Sequence, residues 1–154
     1  MEMKIRNVVI LSLSILMLVG LGCVSKYVLS RNESFASQDI NITSTDEIVQ
    51  MSSNDVFYIK CFADWCPHCK NMETAWNTLH NKYNGTTVNG KRVFVKQMQD
   101  TNQNLSKFKS EFNVPINGFP TILRVYGGSG LAPIIDQYTG ERGIEALSLY
   151  IDGQ

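Results

Sequence analysis

The chain has 154 residues, with 14 basic against 14 acidic side chains and 44% hydrophobic residues. Charge balance, with Lys91-Arg92 the only adjacent basic pair, excludes the basic stripe or patch of a nucleic-acid binder. Setting aside an apolar N-terminal region leaves roughly 115 to 120 residues, enough for one hydrophobic core and too few for two.

Residues 1–7 form a short tail carrying Lys4 and Arg6. Val8 to Val24 is an uncharged, mostly apolar run, about 25 Å long as a helix and within the range of a spanning segment. It reads as a transmembrane anchor, with a cleaved signal peptide ending near Gly20-Leu21-Gly22 as the alternative. Cys23 closes the run as an ordinary buried cysteine. A short basic tail ahead of a single span favours N-in, C-out, placing the rest in a lumenal, periplasmic or extracellular space. Asn32, Asn41, Asn84 and Asn104 each begin an Asn-x-Ser/Thr sequon, as a lumenal glycoprotein would carry.

Residues 25–43 are polar and read as a tether, with one domain following at 44–154. Ser44 and Glu47 fit a capping box opening a helix that runs to about Met51. Val56 to Phe62 is a β-branched and aromatic run that reads as a strand. The next helix begins near Cys66, with Pro67 suited to its first position, and runs to about Tyr83. Met72, Ala75, Trp76, Leu79 and Tyr83 form its apolar stripe. Arg92–Met98 is a second strand, Asn104–Phe112 a helix, Thr121–Tyr126 and Ile134–Tyr138 two strands, and Arg142–Tyr150 a last helix. This order gives an α/β fold with a mixed central sheet flanked by helices.

Three of the four cysteines, Cys61, Cys66 and Cys69, lie within nine residues, and the last 85 residues contain none. They read as a local site rather than as staples. Cys66 and Cys69 are compatible with a redox couple, half of a metal site, or two core residues. A dithiol where a strand meets a helix is the arrangement of a thiol–disulfide exchange site. A tetrahedral metal would need four ligands, and His68, between the two cysteines, cannot easily point at the same ion. No metal or organic cofactor is expected.

Trp65-Cys66-Pro67-His68-Cys69-Lys70 together with Gly118-Phe119-Pro120-Thr121 resembles the thioredoxin family, in particular its membrane-tethered protein disulfide oxidoreductases. The resemblance covers about residues 44 to 152 and implies a thioredoxin fold preceded by the transmembrane helix. It implies that Cys66 is an exposed nucleophile and Cys69 the resolving thiol. It makes Pro120 a cis-proline facing the dithiol, with Phe119 and Thr121 offering backbone groups to an extended substrate. Lys96 and Asp100 match the family's lysine and aspartate at the end of the central strand, and Gly140 its late glycine. Two departures stand out. Lys60 occupies the place of the buried acid that relays protons to the resolving thiol. Thr74 replaces the proline that kinks the active-site helix, which should leave that helix straighter.

The helix start and a cationic His68 both favour the thiolate of Cys66 and an oxidising couple. Trp65 reads as a partly exposed aromatic beside the nucleophile, with Phe62 and Phe119 completing an apolar rim; Trp65, Pro67, Phe119 and Thr121 are the expected substrate-binding residues. A buried Lys60 must lower its own proton affinity or find a partner such as Asp64 or Asp100. As a candidate catalytic residue, a neutral Lys60 would accept the resolving thiol's proton, the alternative being a stem whose amine snorkels to water. Cys61 falls on the opposite strand face and reads as core. The expected function is a thiol–disulfide oxidoreductase acting on protein cysteines in the oxidase or isomerase direction. Its partners would be client proteins with thiols or disulfides, a redox partner protein and, through the N-terminal helix, a membrane; the domain would be a monomer. The alternatives are a redox-linked binding adaptor with little turnover and a thioredoxin-like reductant.

Overall fold

Alternation at the start of the chemistry-bearing segment decides the architecture. In β1 (Asp55–Phe62), Phe57, Ile59 and Cys61 pack to one side and Val56 and Tyr58 to the other, as the two-residue pleat requires. Both faces are covered, so β1 lies at the centre of its sheet. The computed structural model describes residues 39–128 and 131–153, and Gln38–Gln154 form one compact unit. The segment at 8–24, Cys23, Asn32 and most of the tether lie outside the described residues.

Besides β1 the elements are α1 (Asp46–Val49), α2 (Pro67–Asn71), α3 (Glu73–Tyr83), β2 (Thr87–Val88), β3 (Lys91–Gln99), α4 (Gln103–Phe112), β4 (Thr121–Gly127), β5 (Pro133–Tyr138) and α5 (Ile144–Asp152). Strand order is β2-β3-β1-β4-β5. β1 and β3 are parallel and every other pair is antiparallel, so the sheet is mixed, as expected. Ile48 of α1 and Leu105 and Phe108 of α4 pack with Phe57, Ile59 and Cys61. Trp76, Leu79 and Tyr83 of α3 and Leu147 and Ile151 of α5 cover the other face. Arg92 ties β3 to β1 through paired hydrogen bonds to Asp55 at 2.8 and 2.9 Å.

Four local features differ from the sequence expectations. The single helix from Cys66 to Tyr83 is divided at Met72, whose N–H bonds to the Cys69 carbonyl only three residues back, at 3.2 Å. This tightened turn precedes Thr74, so the missing proline does not leave the helix continuous. Thr87-Val88 is a short strand turned back by Asn89-Gly90, both at positive φ (49° and 78°), the conformation of a two-residue hairpin turn. Residues 40–42, read as the end of the tether, run beside β3: Ile42 N–H bonds to the Gln97 carbonyl at 3.0 Å, and Ile42 is 1% exposed. In α1 the capping box is half formed. Glu47 accepts from Ser44 N–H at 3.3 Å, while the Ser44 hydroxyl accepts from Asp46 N–H at 3.1 Å.

Among the described residues no helix is long and apolar enough to cross a membrane. Of the three described sequons, Asn41 is exposed. Asn104 is committed to the fold: its Nδ2 donates to the Ile42 and Thr43 carbonyls at 3.2 and 2.9 Å. A glycan there would replace one of those hydrogens, which argues against Asn104 as a glycan acceptor.

Candidate active site

β1 delivers the dithiol just past the C-terminal end of the central strand, through a tight turn in which Cys66 N–H bonds to the Ala63 carbonyl at 3.1 Å. Cys66 is then the N-cap of α2 in extended conformation, with Pro67 as the first helical residue. Its Sγ accepts the Cys69 N–H at 3.2 Å, satisfying one of the free donors of a helix start. It also donates to the Phe119 carbonyl at 3.4 Å. The Phe119–Pro120 peptide is cis. Immediately after it, Thr121 opens β4, donates its hydroxyl to the Gly118 carbonyl at 2.7 Å, and pairs with Cys61 across the sheet. The two segments quoted for the resemblance therefore meet at one place, brought together by β1 and β4 as neighbours.

Cys66 is not the exposed residue expected. It and Cys69 each retain 3% exposure and pack with Ala63, Phe62 and Phe119. The loop ahead of β4 covers the sulfur that the helix start would otherwise present to water. Both thiols are free. Burial pushes the Cys69 thiol up to about 11, helped by its hydrogen bond with Cys66; a backbone hydrogen bond of Ala63 and the charge of Lys60 act the other way.

Trp65 is 71% exposed. Its Nε1 donates to Asp100 at 3.0 Å, and its ring meets Phe119 edge-on at 6.1 Å between centroids. Together with exposed Pro67 it makes a rim beside the sulfur. His68 is also solvent-exposed, on the outer side of α2.

Lys60 is 2% exposed and lines a cavity of about 400 Å³ that also touches Cys69. Burial lowers the proton affinity of its amine; the charges of Glu73 and Cys69 raise it. Neither expected carboxylate pairs with it. Asp64 accepts from Gln99 Nε2 at 2.5 Å, and Asp100 holds Trp65. Lys96 does not join Lys60 either, because its Nζ donates to the Asp39 carbonyl at the other side of β3. Gln97, the neighbour of Lys60 in register, faces the cavity instead.

Sequence reasoning missed Glu73 and Gln97. Glu73 follows Cys69 by four residues, one helical turn, a spacing that could have revealed it. It also missed a second hollow of about 240 Å³ beside the proline loop, walled by Gly118, Pro120, Gln137 and Arg142. Cys61 packs in the opposite core, where burial pushes its thiol up to about 12. Among the described residues no three His, Cys, Asp or Glu side chains gather as metal ligands.

The thioredoxin family model matches residues 37–153. Protein disulfide-isomerase like 2-2 of Arabidopsis thaliana is 32% identical over 120 residues, covering 78% of this chain and 24% of its own length. Human protein disulfide-isomerase A4 is 32% identical over 107 residues, 70% of this chain and 15% of that protein. The chain thus spans a quarter or less of these relatives' lengths. Among solved structures, the Trx4 domain of ERdj5 superposes with a TM-score of 0.55 at 15% identity, over 75% of this chain and 94% of that one. Human ERp44 does so with a TM-score of 0.51 at 21% identity, over 74% and 29%. With the family match spanning almost the whole folded unit, the chain belongs to the thioredoxin family.

Proposed function

We propose that this chain is a thiol–disulfide oxidoreductase acting on protein cysteines, working in the oxidase or isomerase direction. The observation that carries the reading is the position of Cys66 Sγ, held between the Cys69 N–H and the Phe119 carbonyl. The N–H that caps the sulfur strengthens as an interaction when the sulfur is anionic, which is the form that attacks a disulfide. A client chain laid along the rim of Trp65, Pro67 and Phe119 would displace the Phe119 contact and bring its own sulfur to Cys66. Attack gives a mixed disulfide; Cys69, one helical turn below, resolves it. His68 contributes field at the helix start, and Thr121 with Phe119 supplies backbone groups to the client. Relatives named protein disulfide-isomerases support this activity.

Residues 8–24 would anchor the chain in a membrane with the domain on the lumenal, periplasmic or extracellular side, as a monomer meeting client proteins and a separate redox partner. Asn41 is the exposed described sequon for a glycan there. The test is the rate of insulin reduction and of disulfide formation in a reduced client, with the Cys66–Cys69 potential. The expected couple is more positive than roughly −240 mV. A value near −270 mV would turn the reading toward a reductant, and negligible rates in both assays would sink the enzyme in favour of an adaptor that binds without turnover.

A further inference from the structure

Lys60 is a buried lysine whose amine meets aromatic rings and a cavity rather than a carboxylate. Its Nζ lies 4.9 Å from the Phe62 ring centroid and 5.8 Å from that of Trp76, and among the described residues it has no hydrogen bond or ion pair. Burying a lysine without a carboxylate partner is costly, and here the residue lines a cavity shared with Cys69. That cavity, of about 400 Å³, has charged and amide side chains on its wall and is large enough to hold water. Glu73 from α3, Asp64 from the turn after β1 and Lys70 from α2 are the other charged groups on its wall.

We propose that Lys60 is the acid–base partner of Cys69, taking its proton when Cys69 attacks and returning it when Cys69 leaves. This rests on the reading of Cys66 and Cys69 as an exchange couple. In the mixed disulfide, the Cys69 thiol gives its proton to the neutral amine. The resulting thiolate attacks Cys66 Sγ, the Cys66–Cys69 bond forms, and the Cys66–client bond breaks with its electron pair on the client sulfur. The client disulfide is reduced and the dithiol oxidised. The client thiolate is protonated by solvent, and the Lys60 ammonium releases its proton to cavity water. In the oxidising direction the same steps run backwards, with the ammonium protonating Cys69 as it departs.

A lysine suits this task for an electrostatic reason. Thiol with amine and thiolate with ammonium are both net neutral, so the transfer leaves the charge of the cavity unchanged. Burial raises the proton affinity of a thiol and lowers that of an amine, which brings the two groups toward balance. Both displacements are present here.

The experiment mixes the reduced, detergent-solubilised full chain with glutathione disulfide, quenches with acid and follows intact masses. Step one, formation of the glutathione adduct on Cys66, should be within about twofold in wild type, Lys60→Gln and Lys60→Arg. Step two, resolution by Cys69, should slow by at least about tenfold in both variants at neutral pH. Lys60→Arg keeps stem and charge but offers no removable proton. Step two in wild type should rise with pH and level off as Lys60 becomes neutral, whereas in Lys60→Gln it should go on rising. Normal step one with unchanged step two in the variants overturns this inference alone. If the variants fail to fold, a wild-type step two without the levelling overturns it. A wild type that forms no adduct overturns the exchange reading, and this inference with it.

Discussion

The sulfur of Cys66 lies 3.4 Å from the carbonyl oxygen of Phe119, a residue 53 positions further along the chain. That contact joins the helix start after β1 to the loop before β4, and it limits the accessibility of the dithiol. The covering of Cys66 follows from it, and the proposed exchange chemistry would begin with its displacement.

Separate roles for the two thiols have distinct signatures. Cys69→Ser should leave the first attack intact and accumulate a mixed disulfide with a peptide disulfide client, visible by intact mass without reductant. Cys66→Ser should form no adduct, because Cys69 is equally buried and lacks the helix-start N–H that caps Cys66. Adduct formation through Cys69 in the Cys66→Ser chain would reverse the assignment.

Trp65 is held by Asp100 and Phe119 yet mostly exposed, so its contribution should fall on the client rather than on the fold. Trp65→Ala should change stability by less than about 1 kcal/mol. It should raise KM for a peptide disulfide roughly fivefold, consistent with one lost aromatic contact. The rate with 2-hydroxyethyl disulfide, which has no peptide chain to lay on the rim, should stay within about twofold. Equal losses with both substrates would remove Trp65 from the binding surface.

The burial of Lys60 makes a prediction for stability against pH. Its folded-state value lies below the ordinary lysine value because burial penalises the charge. Below the folded value both states hold the proton and the penalty is complete. Between the folded and unfolded values the unfolded chain holds the extra proton, so stability rises with pH; above about 10.4 the penalty is gone. Lys60→Met should therefore stabilise the fold at pH 7 by about 1–2 kcal/mol, with a margin that narrows toward pH 10. Denaturant unfolding at several pH values checks it, and a margin that widens with pH would count against a proton affinity lowered by burial. Gained stability together with slowed resolution is the trade expected of a residue kept for chemistry.

Asp55 is nearly buried and accepts from Arg92 at two atoms and from Ser52 N–H at 2.8 Å. Asp55→Ala should cost about 2–3 kcal/mol, since it strips partners from a half-buried guanidinium and a backbone donor. Asp55→Asn, which still accepts hydrogen bonds, should cost less. Thermal unfolding decides between this and a solvent-screened surface pair, for which both changes would be near zero.

Much of the fold was legible because its signals are local. The strand at 55–62, the Trp76 stripe and the Pro67 helix start are written in periodicity and in the special backbone of proline, and each stands where expected, within a residue or two at its ends. The hairpin turn at Asn89-Gly90 was equally local and was passed over. The break at Met72 was not legible: nothing in residues 70–74 breaks a helix by propensity, and the division follows from a tightened turn between two packed segments.

The site divides along the same line. Residue types and spacing determined that Cys66 and Cys69 flank a helix start, that Lys60 and Cys61 point to opposite faces, and that Phe119-Pro120-Thr121 opens a strand. Only the tertiary structure decided what those groups meet. It covered Cys66 with a carbonyl from 53 residues away, turned Lys96 from the cavity, engaged Asp64 and Asp100 elsewhere, and left Glu73 and Gln97 facing Lys60. Periodicity assigns a side chain to a face, but strand order and register choose its neighbours. The environment of a buried charge is made of neighbours.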